Sequence, residues 1–167
     1  VFFLKHFLFH FASCLIRTRN LAILLLLHTL QRLTDFVRIF TPIHKIVSFE
    51  TFFKSYIETA LWCSFDINNE ENDDTSLENQ GYSIDDFDSE SLRKLQKDCC
   101  SFYTDNFDKI KNDFERAGHD FFLTSNHHGA GFWDGDWDSV IGKELTEESH
   151  KYSEVNFWVS EGRIYCD

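Results

Sequence analysis

Methionine is absent from all 167 residues, position 1 included, where Val1 stands. A natural start would carry it, so Val1 predicts processing, a fragment, or translation from another start. Proline occurs once, at Pro42. Cys14, Cys63, Cys99, Cys100 and Cys166 show no CxxC spacing, which excludes a zinc ribbon. Their odd number predicts reduced thiols in a cytosol. No HExxH, GxSxG or Walker-type phosphate loop occurs, so the zinc-protease, nucleophile-elbow and P-loop chemistries find no motif. The longest apolar run, Leu21–Leu27, falls short of the roughly 20 residues that a spanning helix needs.

Aromatic residues, by contrast, are plentiful. They make up 17% of the chain, 19 of them Phe, within a hydrophobic fraction of 43% that is ample for a packed core. Charge is divided sharply. Residues 1–49 hold Lys5, Arg17, Arg19, Arg32, Arg38 and Lys45 against Asp35, a net of +5; the other ten basic and 27 acidic side chains follow, a net of −17. Such asymmetry predicts two parts of different kind: a basic, apolar segment 1–47 and an acidic domain 48–167. The segment reads as upstream sequence translated in frame with a true start near Ser48. Membrane association through 1–47 is the alternative, although Arg17-Thr18-Arg19-Asn20 splits its apolar stretch. Phe11-Ala12-Ser13-Cys14 only faintly resembles a lipoprotein cleavage box. A net of −17 repels phosphates, so direct nucleic-acid binding is not expected.

Within the domain, Phe49, Phe52, Phe53, Tyr56, Ile57, Ala60 and Leu61 recur at spacings of three and four and predict a first amphipathic helix. Asp66 to Asp86 lacks periodicity and predicts a solvated loop. Asp88 is placed to cap a second helix, with Phe87 and Leu92 as a hydrophobic staple. Two apolar stripes follow, through Phe102 and then through Ala117, and the shift between them predicts a break or bend near Thr104-Asp105-Asn106, with one long helix as the alternative. Gly118 stands where a helix end is expected. Residues 119–123 and 130–133 predict a hairpin around an Asn126–Gly129 turn. Thr146 predicts the cap of a short helix that begins with Glu147 and Glu148. Alternation at 155–159 and 164–166 around Glu161-Gly162 predicts a second hairpin. The expected class is α+β: N-terminal helices, then a small antiparallel sheet of hairpins with one short helix inserted.

Residues 117–138, AGHDFFLTSNHHGAGFWDGDWD, concentrate the chemistry. The candidate functional cluster is His119, Asp120, Asn126, His128, Trp133 and Asp134. Imidazoles and carboxylates ligate zinc and other divalent metals, so His119, His128 and Asp134 are the candidate metal ligands, although no cofactor is expected. Asp134, Asp136 and Asp138 open like a calcium loop, but Ser139 and Leu145 stand where its turn glycine and bidentate glutamate belong.

This block, together with YIETALWCS (Tyr56–Ser64) and EVNFWVSEGRIY (Glu154–Tyr165), resembles a family of short uncharacterised proteins of tailed phages and prophages. The resemblance spans nearly all of residues 50–167. Phe122, Ser125 and His127 depart from the Trp, Arg and Gly usual there, which favours His119 and His128 over His127. The resemblance implies origin and size, and it carries no activity. The expectation is a small acidic accessory protein in the cytoplasm of a bacterial host that binds a protein partner, such as a basic host factor, without catalysis. A metal-dependent hydrolase using the 119–138 cluster is the alternative.

Overall fold

The computed structural model describes residues 45–68 and 75–167. The expectations for residues 1–44, including membrane association, and for the acidic run 69–74 lie outside them. No described helix is long and apolar enough to cross a membrane. The architecture is α+β, with helices first and one antiparallel hairpin last.

Helix α1 spans 45–63 and turns its predicted stripe inward, with Phe52, Tyr56, Ile57, Ala60 and Leu61 all buried. Helix α2, Ser89–Ile110, starts where expected: the Asp88 carboxylate accepts from the backbone N–H groups of Glu90 and Ser91 at 2.9 and 3.1 Å. The predicted break at 104–106 is absent. Thr104 donates to the Cys100 carbonyl and Asn106 to the Phe102 carbonyl, so both polar side chains are satisfied inside the helix they were expected to end. The chain turns only at 111–113, where Asp113 caps the next helix by accepting from Arg116 N.

That helix, α3 (Phe114–Ser125), overturns the first expected hairpin. Residues 119–123 are helical and 130–133 form irregular turns. A short apolar run fits a buried helix as well as a strand, and here Phe121, Phe122 and Leu123 are consecutive and all buried, so within 119–123 only His119 faces solvent and the period is not revealed. Gly118 does not end a helix. It lies inside α3, where a Cβ would stand 2.1 Å from the Phe52 carbonyl oxygen, so its missing side chain lets α3 touch the α1 backbone.

Helix α4, Ser139–Ser149, begins eight residues earlier than a cap at Thr146 suggested. Asp138 caps it, accepting from Val140 N and Ile141 N, while Thr146 lies inside and donates to the Gly142 carbonyl. The second predicted hairpin is present as β1 (Phe157–Ser160) and β2 (Arg163–Cys166), with Trp158 opposite Tyr165 and Val159 opposite Ile164. Glu161 and Gly162, at φ 50 and 73°, make its left-handed turn. The described part of the 66–86 loop is also more ordered than its polarity suggested. Leu77 is fully buried and bonds to the Ser64 carbonyl, and Ile84–Asp86 form a 3-10 turn.

The core is a set of stacked rings. Phe102 lies on Phe121 with centroids 4.0 Å apart, and Phe52, Phe132 and Tyr152 surround the pair at 5.1 to 6.1 Å. Offset and edge contacts between rigid rings fill this space. Gly118→Ala is expected to destabilise the domain by about 2–3 kcal/mol in urea unfolding, because backbone must move to admit the methyl. Gly129→Ala, with open space around it, should change stability by no more than about 1 kcal/mol in the same measurement.

Candidate functional site

The 117–138 block folds as α3 followed by a return loop, and its polar residues are distributed along that contact. Asp120 is buried on the second turn of α3. Its Oδ2 accepts from Trp137 Nε1 at 2.6 Å, and its Oδ1 lies 2.8 Å from His119 Nδ1. One turn on, Thr124 Oγ1 accepts from Phe132 N at 3.1 Å. Asn126 then accepts from Val155 N at 2.7 Å and donates to the Phe122 carbonyl. Side chains of α3 and its cap Asn126 thus give the Phe132 and Val155 N–H groups the partners a strand would otherwise supply.

His119 is the exposed member of this arrangement. A carboxylate can only accept, so the Asp120 contact places a proton on Nδ1 and leaves Nε2 without a protein partner among the described residues. The imidazole borders an open basin of about 380 Å³ that Asp120, Asp134, Asp136, Arg116 and Ser55 also line. Arg116 bridges the basin, pairing with Asp113 at 3.5 Å and Asp136 at 3.6 Å. An oriented, half-exposed imidazole beside a carboxylate has the parts that proton transfer uses.

The structure therefore brings together His119, Asp120 and Asp134, and separates the rest of the expected cluster from them. Asn126 holds the chain at Val155. Trp133, 45% exposed, lines a different groove with Phe132 and Trp137. His128 packs on Phe122 with its Nε2 3.9 Å from Cys63 Sγ. His127, at φ 54°, stacks on His150 and pairs with Glu154. The three aspartates of the calcium-like run are also divided: Asp134 accepts from Gly131 N, Asp136 meets Arg116, and Asp138 caps α4. Among the described residues, no three His, Cys, Asp or Glu side chains are grouped to hold a metal ion.

Two participants escaped the sequence reading. Trp137 stands 17 residues from Asp120, and no local pattern links an indole to a carboxylate at that distance. Cys63 meets His128 across 65 residues. That second pair looks like a nucleophile and its base, but burial pushes the Cys63 thiol up to about 11, and its S–H donates to the Thr59 carbonyl. The thiolate that such chemistry needs is scarce at neutral pH. Cys63, Cys99, Cys100 and Cys166 are all free thiols, and burial also raises Cys99 and Cys166.

No family model, curated protein or solved structure matches this chain.

Two outcomes follow from these contacts. Asp120→Ala should cost about 1–3 kcal/mol in chemical denaturation, since it strands the Trp137 N–H, whereas His119→Ala should stay within about 0.5 kcal/mol. Alkylation with iodoacetamide at pH 8, followed by peptide mapping, should label exposed Cys100 first. Cys63 should react at least about tenfold more slowly.

Proposed function

We propose that this chain is a small acidic accessory protein of phage or prophage origin that works in the host cytoplasm by binding a protein partner, without catalysing a reaction. One observation carries this reading: the polar block that suggested chemistry is engaged in holding the fold. Asp120, Thr124, Asn126 and Asp138 each secure a backbone N–H or an indole. His119 is left with an orienting carboxylate and no bonded nucleophile among the described residues.

The surface, meanwhile, offers apolar area within a field of negative charge. Trp62, Phe65 and Ile67 are 57, 45 and 61% exposed as the chain leaves α1. They are not on a loose tail, because Ile67 N donates to the Phe157 carbonyl and Asp66 accepts from Val159 N. Aromatic side chains held rigidly at a surface are the usual anchors of a protein interface. With 27 carboxylates against ten cations after residue 49, the complementary partner is basic, and the field would steer its approach. The block AGHDFFLTSNHHGAGFWDGDW supports the phage or prophage origin through the family that it resembles.

A second reading, acid–base or metal-assisted hydrolysis at His119, is favoured by the Asp120–His119 bond alone. The two readings separate in one comparison. Capture of a basic host protein by the full chain should weaken as salt is raised, and Trp62→Ala/Phe65→Ala should reduce it at least about tenfold while His119→Ala leaves it intact. Capture that ignores both salt and the aromatic pair would overturn the proposal.

A further inference from the structure

The few cations of this acidic domain are mostly neutralised. Lys54, Lys109, Lys111, Arg116, Lys143 and Lys151 each lie within 4.0 Å of a carboxylate. Arg163 donates to the Asp85 carbonyl at 2.8 Å. Arg93, Lys94 and Lys97 differ: among the described residues none has an ion pair, and all three are exposed on the first half of α2. At spacings of three and four residues they share a face, where like charges repel and weaken the helix that carries them. They also line one open groove of about 820 Å³, whose far wall is Tyr165 and Cys166 of β2.

From this we propose that the α2–β2 groove is a binding site for a small phosphate-bearing ligand, its anion held by Arg93, Lys94 and Lys97. The lining of the groove carries these three cations against two acids: Asp88, whose carboxylate caps α2, and Glu90, a turn nearer the helix start. Asp167, bonded to Asn156, lies near Lys94 outside the lining. The lining itself therefore keeps a small positive excess within an acidic domain. Guanidinium and ammonium groups supply the forked and point-charge donors that a phosphate takes.

The size of the ligand follows from charge. A nucleic acid would lay many phosphates across a surface that is net −17 and be repelled, whereas a compact anion responds to the three cations beside it. Screening over roughly 8 Å at physiological salt separates that local field from the remote carboxylates. Tyr165, stacked on Trp158 at 6.0 Å, gives the groove a firm aromatic wall for an organic body attached to the phosphate. The site is distinct from the aromatic patch at Trp62, and the proposal does not depend on the protein-binding reading.

Calorimetric titration of the full chain with inorganic phosphate, pyrophosphate and AMP, in chloride buffer, tests it. Saturable binding at one site is expected. It should weaken about tenfold or more with Arg93→Gln/Lys97→Gln, under unchanged circular dichroism, and remain unaltered with Lys54→Gln. AMP binding above inorganic phosphate, lost with Tyr165→Ala, would support a ligand with an organic body; equal binding of the two would support the phosphate alone. Failure of all three probes to saturate by roughly 10 mM, or equal binding by the double variant, would overturn the site.

Discussion

Where α3 crosses α1, Gly118 lies so close to the Phe52 carbonyl that no side chain fits between the two backbones. This approach sets the depth at which Phe121 enters the core, and hence its stacking on Phe102 and its contact with Phe52. A chain without methionine has no adaptable filler for a gap there, so the rings demand a near-fixed spacing. With α3 held at that depth, Asp120 and Thr124 meet the return loop, and the loop delivers Asp138 to the start of α4. Each later contact presupposes the first.

The same constraint explains why the polar groups of a block so rich in His, Asp and Asn are spread along the contact between α3 and the return loop. Residues 130–138 join no strand, and they are tied to α3 by the Phe132 N–H on Thr124 and the Trp137 indole on Asp120. The carboxylate and hydroxyl that could have served chemistry are buried at that contact. His119 and the basin around it are what the arrangement leaves exposed, one oriented imidazole with Arg116 and Asp136 paired nearby. Elsewhere on the described surface, exposed Trp62, Phe65 and Ile67 and the cations Arg93, Lys94 and Lys97 stand apart from that block.

Much of the fold was legible in the chain. The stripe of α1, the Asp88 cap and the Glu161-Gly162 turn were each readable because the physics behind them acts over a few residues. The errors at 104–106, at Gly118 and at Thr146 share a cause. Each residue type that commonly ends or starts a helix was satisfied within one, by a carbonyl four residues back or by a neighbouring backbone. The hairpin expected at 119–133 failed because a segment buried on most sides shows neither period. Of the candidate site, His119, Asp120 and Asp134 were named from the sequence, and only Asp120's partner Trp137 showed what the group does.

Composition alone set the charge excess, the scarcity of flexible apolar side chains and the separation of a basic segment from an acidic domain. Local order alone determined the Asp88 cap, the stripe of α1 and the final hairpin. Which polar groups meet was decided only in three dimensions, since hydrogen bonds such as Asp120–Trp137 and Asn126–Val155, and the contact of Cys63 with His128, join residues 17 to 65 positions apart. A side chain's chemistry is written in its own identity. Whether it faces water, a carbonyl or another helix depends on how close two backbones are allowed to come.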